Sequence, residues 1–158
     1  MSIKNSPGAF SDAVGEMAVV YLLSLTRGVV STDRSVRRGV WPKFQYRTLI
    51  DFNVGFIGMG AIGSGAAARL ASLGCNVYYS DPLVARSDYM RVSVEDLFDL
   101  CGAVVITSSL NPSTTGLVNK SLIARSKRGL FVINVGRGPI VVEEDLVDLS
   151  SLSKKVAR

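Results

Sequence analysis

Three glycines, one carboxylate and one guanidinium carry the chemistry that this chain's spacing makes readable. The run Val54-Gly55-Phe56-Ile57-Gly58-Met59-Gly60-Ala61-Ile62-Gly63 sets Gly58, Gly60 and Gly63 in a GxGxxG spacing, with Asp81 following eighteen positions after the last of them. Gly58 permits a tight turn, Gly60 lets backbone approach a diphosphate, and Gly63 lets the next helix pack closely. The helix that starts there points its N-terminal amides at negative charge. Asp81, at the end of a strand over 76–80, stands where a carboxylate accepts hydrogen bonds from ribose hydroxyls. Together they read as a dinucleotide site; a glycine-rich loop alone leaves the acid's placement unexplained. Arg137 lies between Gly136 and Gly138. It reads equally as a surface arginine and as a planar fork able to grip a carboxylate through two hydrogen bonds.

These residues need a scaffold, and the hydrophobic pattern supplies one. Strands are expected near 54–58, 76–80, 103–107 and 130–134, with a short edge strand near 89–92. Helices are expected near 61–73, 94–101, 119–127 and 143–153, Ser93 capping the second with Asp96 three residues on, and Gly129 ending the third. Continuous apolar runs such as Val104-Val105-Ile106 and Phe131-Val132-Ile133 imply strands buried on both faces. The fold class is therefore α/β, a doubly wound parallel sheet whose ligand contacts sit at the carboxyl ends of the strands. Those ends are 58–63, 80–82, 107–112 and 135–139. Upstream, Asp12 is expected to cap a helix near 13–30 that is apolar nearly all round, and 31–38 continues as a basic helix broken by Gly39-Val40-Trp41-Pro42.

Composition narrows the classes. The 158 residues are 47% apolar and 20% charged, with a net charge of +5 from eighteen basic and thirteen acidic residues. That suits an anionic ligand. The basic residues Arg34, Arg37, Arg38, Lys43 and Arg47 are scattered without interleaved aromatics, which argues against nucleic acid. Cys75 and Cys101 lack metal or redox spacing and read as reduced core thiols, so no metal site and a cytoplasmic location are expected. The N-terminus lacks a signal peptide's apolar run, and Met17–Leu23 is too short to span a membrane. The sequence contains no histidine, so no imidazole is on hand as proton donor, proton acceptor or metal ligand.

Asn5-Ser6-Pro7-Gly8, the 54–63 run with Asp81, Asn111-Pro112-Ser113-Thr114-Thr115-Gly116-Leu117, and Ile133-Asn134-Val135-Gly136-Arg137-Gly138-Pro139-Ile140-Val141 occur in the order and spacing of a known family. The chain resembles the D-isomer-specific 2-hydroxyacid dehydrogenases, particularly the hydroxypyruvate, hydroxyphenylpyruvate and phosphoglycerate members. The resemblance implies a Rossmann-type cofactor domain, incomplete at its C-terminal side, over 53–158. It implies an interdomain helix and connecting loop over 1–52, that helix also joining a homodimer interface, and no substrate-binding domain. It places Ala61 and Ile62 on the pyrophosphate, Asp81 on the ribose, and Ser108, Val135 and Gly136 along the cofactor. Arg137 becomes the catalytic arginine that holds a small 2-oxo or 2-hydroxy acid.

In the intact family, reduced nicotinamide passes hydride to the carbonyl carbon. A histidine, held charged by a glutamate, protonates the oxygen. Both of those residues belong to the part expected beyond Arg158, so the lack of histidine resembles truncation. The chain alone is expected to bind dinucleotide weakly, and strand 130–134 to be an unprotected edge prone to self-association. Ala61 departs from the larger polar or basic residue of many members. Asp81 favours NAD by repelling a 2′-phosphate, while Arg86 nearby leaves NADP open. Alternative readings are an NAD-sensing regulator similar to nucleotide-binding corepressors, and a non-functional gene fragment. The 55–60 run is also similar to the 3-hydroxyisobutyrate dehydrogenase type, which lacks the Arg137 loop.

Overall fold

The computed structural model describes residues 8–152 and 156–157, except 42, 44, 45, 86, 87, 127 and 128, with side chains as far as Val147. Asn5, Ser6, Pro7, Pro42 and Arg86 therefore lie outside the described residues. The elements run α1 (Ser11–Thr26), α2 (Val29–Arg37), β1 (Asn53–Ile57), α3 (Ala61–Ser72), β2 (Asn76–Ser80), β3 (Met90–Arg91), α4 (Val94–Leu100), β4 (Ala103–Ile106), α5 (Lys120–Arg125), β5 (Leu130–Asn134), a 3₁₀ turn (Gly138–Ile140), α6 (Glu143–Leu152) and β6 (Val156–Ala157). All strand pairs are parallel, in the order β3-β2-β1-β4-β5-β6. The order reverses between β1 and β4, the switch point at which such sheets open a ligand crevice.

Alternation along the strands divides the core. Val54, Phe56, Tyr79 and Val105 face α1 and α3, meeting Ala18, Leu22, Ala66 and Leu70. Ile57, Val104 and Ile106 face the other way, onto Leu97, Phe98, Leu122 and Ile123 of α4 and α5. Fully burying one such side chain contributes roughly 1.5–3 kcal/mol, so the two layers fix the sheet between them. Ser93 caps α4 in a reciprocal box: its Oγ accepts from the Asp96 amide at 3.0 Å, and its own hydroxyl and amide donate to the Asp96 carboxylate. Asn119 caps α5.

Four expectations are corrected. The single helix expected over 13–30 ends at Thr26, and α2 leaves at a 59° bend. Gly28 causes this: it adopts φ +58, and a Cβ there would stand 2.3 Å from the Tyr46 ring. Asp12 does not cap α1, which begins at Ser11, two residues earlier than expected, after the turn at Gly8. Its carboxylate instead accepts from Arg69 Nη2 at 3.1 Å, joining α1 to α3 at the surface. Gly129 does not end α5, which stops at Arg125 with Ser126 as its C-cap; Gly129 turns the chain into β5 at φ +84. The outer side of β5 is not wholly bare, because β6 pairs with Leu130 and Phe131; among the described residues no strand pairs with Val132–Asn134 on that side. Among the described residues, no single helix is long and apolar enough to cross a membrane.

Candidate active site

The carboxyl ends of β1, β2 and β4 converge on a cleft of ≈ 360 Å³ whose walls include Gly58, Gly60, Asp81, Leu83, Ser108 and Asn111. Its floor is the turn from β1 to α3, where three glycines play three parts. Gly58 adopts φ +97, and a Cβ on it would lie 2.8 Å from the Ser108 amide nitrogen. At Gly63 a Cβ would stand 2.4 Å from the Gly58 carbonyl oxygen. A Cβ on Gly60 would meet no atom within 4 Å among the described residues, its chain neighbours aside. Two glycines thus let the protein close on itself, and the middle one leaves an open approach to backbone.

That turn is held by side chains from all sides. Thr107 Oγ1 donates to the Gly58 carbonyl at 2.6 Å, and Ser64 Oγ donates to that of Met59 at 2.9 Å. The Gly58 amide donates to the Ser80 carbonyl at 2.9 Å. The first turn of α3 leaves the amides of Ala61, Ile62 and Gly63 with no carbonyl inside their own helix, directly beside the open face of Gly60. Ala61 is exposed and Ile62 half-buried.

Asp81 is more engaged than its sequence position suggests. Oδ2 accepts from the Met59 amide at 2.8 Å, and Oδ1 accepts from the Leu83 and Val84 amides at 2.8 and 3.1 Å. A carboxylate offers about four acceptor positions, so three are occupied and one remains, on a residue that lines the cleft. Ser108 brings the opposite deficit: its hydroxyl is buried and has no hydrogen-bond partner among the described residues. An unpaired buried polar group costs about 1–3 kcal/mol, and Ser108 is one of the residues that line the cleft.

The second half of the site is the loop after β5. A Cβ on Gly136 would lie 2.9 Å from the Ser108 carbonyl oxygen, so this loop packs against the end of β4. Asn134 Oδ1 accepts from the Gly136 amide at 2.9 Å, and its Nδ2 donates to the Arg137 carbonyl at 3.0 Å. The Arg137 side chain is exposed, with Nη1 donating to the Gly136 carbonyl at 3.2 Å. Val135, half-buried, donates its amide to Ile106.

The expected residues thus form two groups joined at Ser108: Gly58, Gly60, Ala61, Ile62, Gly63 and Asp81 on one side, and Val135, Gly136 and Arg137 on the other. Thr107 and Asn134 were not singled out from sequence. Their only signal is a polar side chain at or just past the end of an apolar strand. The cysteines stand apart, both buried as free thiols. Burial pushes the Cys75 thiol up and that of Cys101 to about 12, so neither serves as a nucleophile near neutral pH. No group of three or more candidate metal ligands occurs among the described residues.

This arrangement has relatives. Residues 19–156 match the family described as D-isomer specific 2-hydroxyacid dehydrogenase, NAD binding domain. A glyoxylate/hydroxypyruvate reductase of Arabidopsis thaliana is 36% identical over 152 residues, covering 92% of this chain and 47% of its own. A glycerate dehydrogenase related protein from Thermoplasma acidophilum superposes with a TM-score of 0.89 at 25% identity, covering 94% of this chain and 54% of the other. An NAD-dependent formate dehydrogenase from Staphylococcus aureus, solved in complex with NAD, gives 0.86 at 28% identity over 92% and 46%. The chain spans 28% to 52% of the length of the curated relatives it matches. With the family matched along most of its length, the chain belongs to the D-isomer specific 2-hydroxyacid dehydrogenases, a family of oxidoreductases, and represents their NAD binding domain.

Proposed function

We propose that this chain is the cofactor-holding unit of an enzyme that reduces 2-oxo acids to D-2-hydroxy acids, with NAD preferred. The observation that carries the reading is the open face of Gly60, set between two glycines that protein atoms crowd and level with the free amides of α3. In this reading the amides of Ala61 and Ile62 hold the diphosphate. Asp81 gives its remaining acceptor position to a ribose hydroxyl, and its charge disfavours a 2′-phosphate. The Ser108 hydroxyl gains its missing partner, while Val135 and Gly136 flank the cofactor. When bound, the nicotinamide supplies the hydride.

Arg137 holds the substrate carboxylate and polarises the neighbouring carbonyl. To do so it exchanges its hydrogen bond to the Gly136 carbonyl for two charge-assisted ones, which are roughly twice as strong as neutral bonds. General acid catalysis is worth about 10²–10⁴-fold, and no histidine in these 158 residues can provide it. We therefore assign to this chain cofactor and carboxylate binding, and little or no turnover by itself. Residues 1–52 serve as interdomain helix and connection, and 53–158 as the cofactor domain. The exposed Met17, Val20 and Tyr21 of α1 support a homodimer, and the two reduced thiols support a cytoplasmic setting. The names of the relatives point to a small 2-oxo acid of the glyoxylate or hydroxypyruvate kind.

Titration of the purified chain with NADH and NADPH, followed by nicotinamide fluorescence, tests this. NADH is expected to saturate and NADPH to bind more weakly. Absence of saturation at millimolar NADH would overturn the cofactor assignment. Brisk oxidation of NADH with hydroxypyruvate would overturn the claim that the chain needs further residues to act.

A further inference from the structure

Arg137 is the more exposed of the two charged groups assigned a role, yet its backbone is held by two hydrogen bonds. Its carbonyl accepts from Asn134 Nδ2 at 3.0 Å and from the Ile140 amide at 3.2 Å. The preceding residue, Gly136, has its amide on Asn134 Oδ1 and its α-carbon against the Ser108 carbonyl. Further along, the Gly116 amide donates to the Pro139 carbonyl at 2.8 Å, and Val118 bridges Val141 in parallel. Most of these are main-chain contacts that many sequences could make. Asn134 is the exception, because one side chain holds both the residue before the guanidinium and the residue that bears it.

A side-chain amide suits this task where other groups fall short. It offers an acceptor and two donors from one planar group. An aspartate in its place could accept from Gly136 but would turn a second oxygen toward the Arg137 carbonyl. Serine is shorter, and alanine offers nothing. Asn134 is exposed and sits at the last position of β5, so packing does not explain an amide there.

We infer that Asn134 is the positioning residue of Arg137: its side chain brackets the loop so that the guanidinium meets a carboxylate with its geometry already set. This rests on the reading of Arg137 as a carboxylate clamp, and it adds a residue to which that reading gave no role. Asn134 does not touch the substrate.

The test compares the 158-residue chain with Asn134→Ala and Asn134→Asp by ¹⁵N nuclear magnetic resonance. In the parent chain the Gly136 amide is expected to exchange slowly with solvent, and the Arg137 Nε–H signal to stand apart from the other arginines. Asn134→Ala should free the Gly136 amide and move the Arg137 signal to the random-coil position. Asn134→Asp should keep Gly136 protected while still releasing Arg137. The thermal midpoint should stay unchanged in both, because the residue is exposed, and NADH affinity should fall less than oxalate affinity, because the glycine turn is untouched and only the flanking Gly136 is loosened. Oxalate, the carboxylate used as probe with NADH present, should bind Asn134→Ala roughly tenfold more weakly, short of the ~10²-fold that a misplacement of about 1 Å can cost.

Unchanged Gly136 exchange and an unmoved Arg137 signal in Asn134→Ala would overturn the inference. Parallel losses of NADH affinity and thermal stability would overturn it too, by making Asn134 a general structural residue. If oxalate fails to shift Arg137 in the parent chain, the clamp reading falls, and the bracket is decided by the Gly136 and Arg137 signals alone.

Discussion

The turn after β1 and the loop after β5 lie on either side of Ser108, yet they are built on opposite plans. In the first, side chains of Thr107, Ser64 and Asp81 already engage the main chain, and glycines allow contact too close for any Cβ. In the second, one asparagine brackets an exposed arginine that rests on its own neighbour's carbonyl. The difference suits the two ligands proposed for them. A diphosphate is held by backbone, which must be in place beforehand because amides cannot swing. A carboxylate is met by a long side chain, which can stay solvated until the substrate arrives.

The sharpest way to break the contrast is Gly63→Val. The new Cβ would press on the Gly58 carbonyl, and backbone cannot yield as a flexible side chain can. Overpacking costs typically ~1–3 kcal/mol, and here the upper end is expected, read as a fall in the urea midpoint together with loss of NADH binding. Gly60→Ala should separate those two effects. Its backbone conformation, φ −68 and ψ −164, suits alanine, and the space above it is open. Stability should hold within about 0.5 kcal/mol while NADH affinity drops. Equal loss of both would mean that the middle glycine belongs to the packing after all.

The last effect has no bearing near neutral pH and is set at Cys101, against Gly55 of β1. Its thiol is pushed from 9.0 to about 12 in the folded chain. The unfolded chain therefore loses that proton first, and stability falls as pH rises from 9 toward 12, with none of this loss below 9. The urea midpoint of Cys101→Ala should decline less steeply over that window than the parent's. Identical slopes would show that the thiol is less shielded than its place under β1 implies.

How far the sequence foretold this depended on whether a signal was local. Strands β1 to β5 were legible within a residue, most plainly where an unbroken apolar run such as Val104-Val105-Ile106 has the appearance of a buried parallel strand. The glycine turn was legible because its spacing is a direct imprint of backbone geometry. Ser93 and Asp96 declared a cap through three-residue proximity alone. What escaped depended on distant partners. Asp12 looks like a cap until Arg69 reaches it across the α1–α3 contact. Gly28 looks like a helix interior until Tyr46 lies against it. Val156–Ala157 is too short to register as a strand without β5 beside it. Asn134 and Thr107 are ordinary polar residues until the ends of β4 and β5 are brought to the same edge.

The three amides on Asp81 carry a consequence for redesign. Exchanging this acid for a neutral residue is the obvious route to a chain that welcomes a phosphorylated ribose. Here the same exchange would cut the tie between the Met59 turn and the Leu83–Val84 bend, loosening the cradle in the act of widening its taste. A successful switch of preference would have to begin by giving those amides a new acceptor.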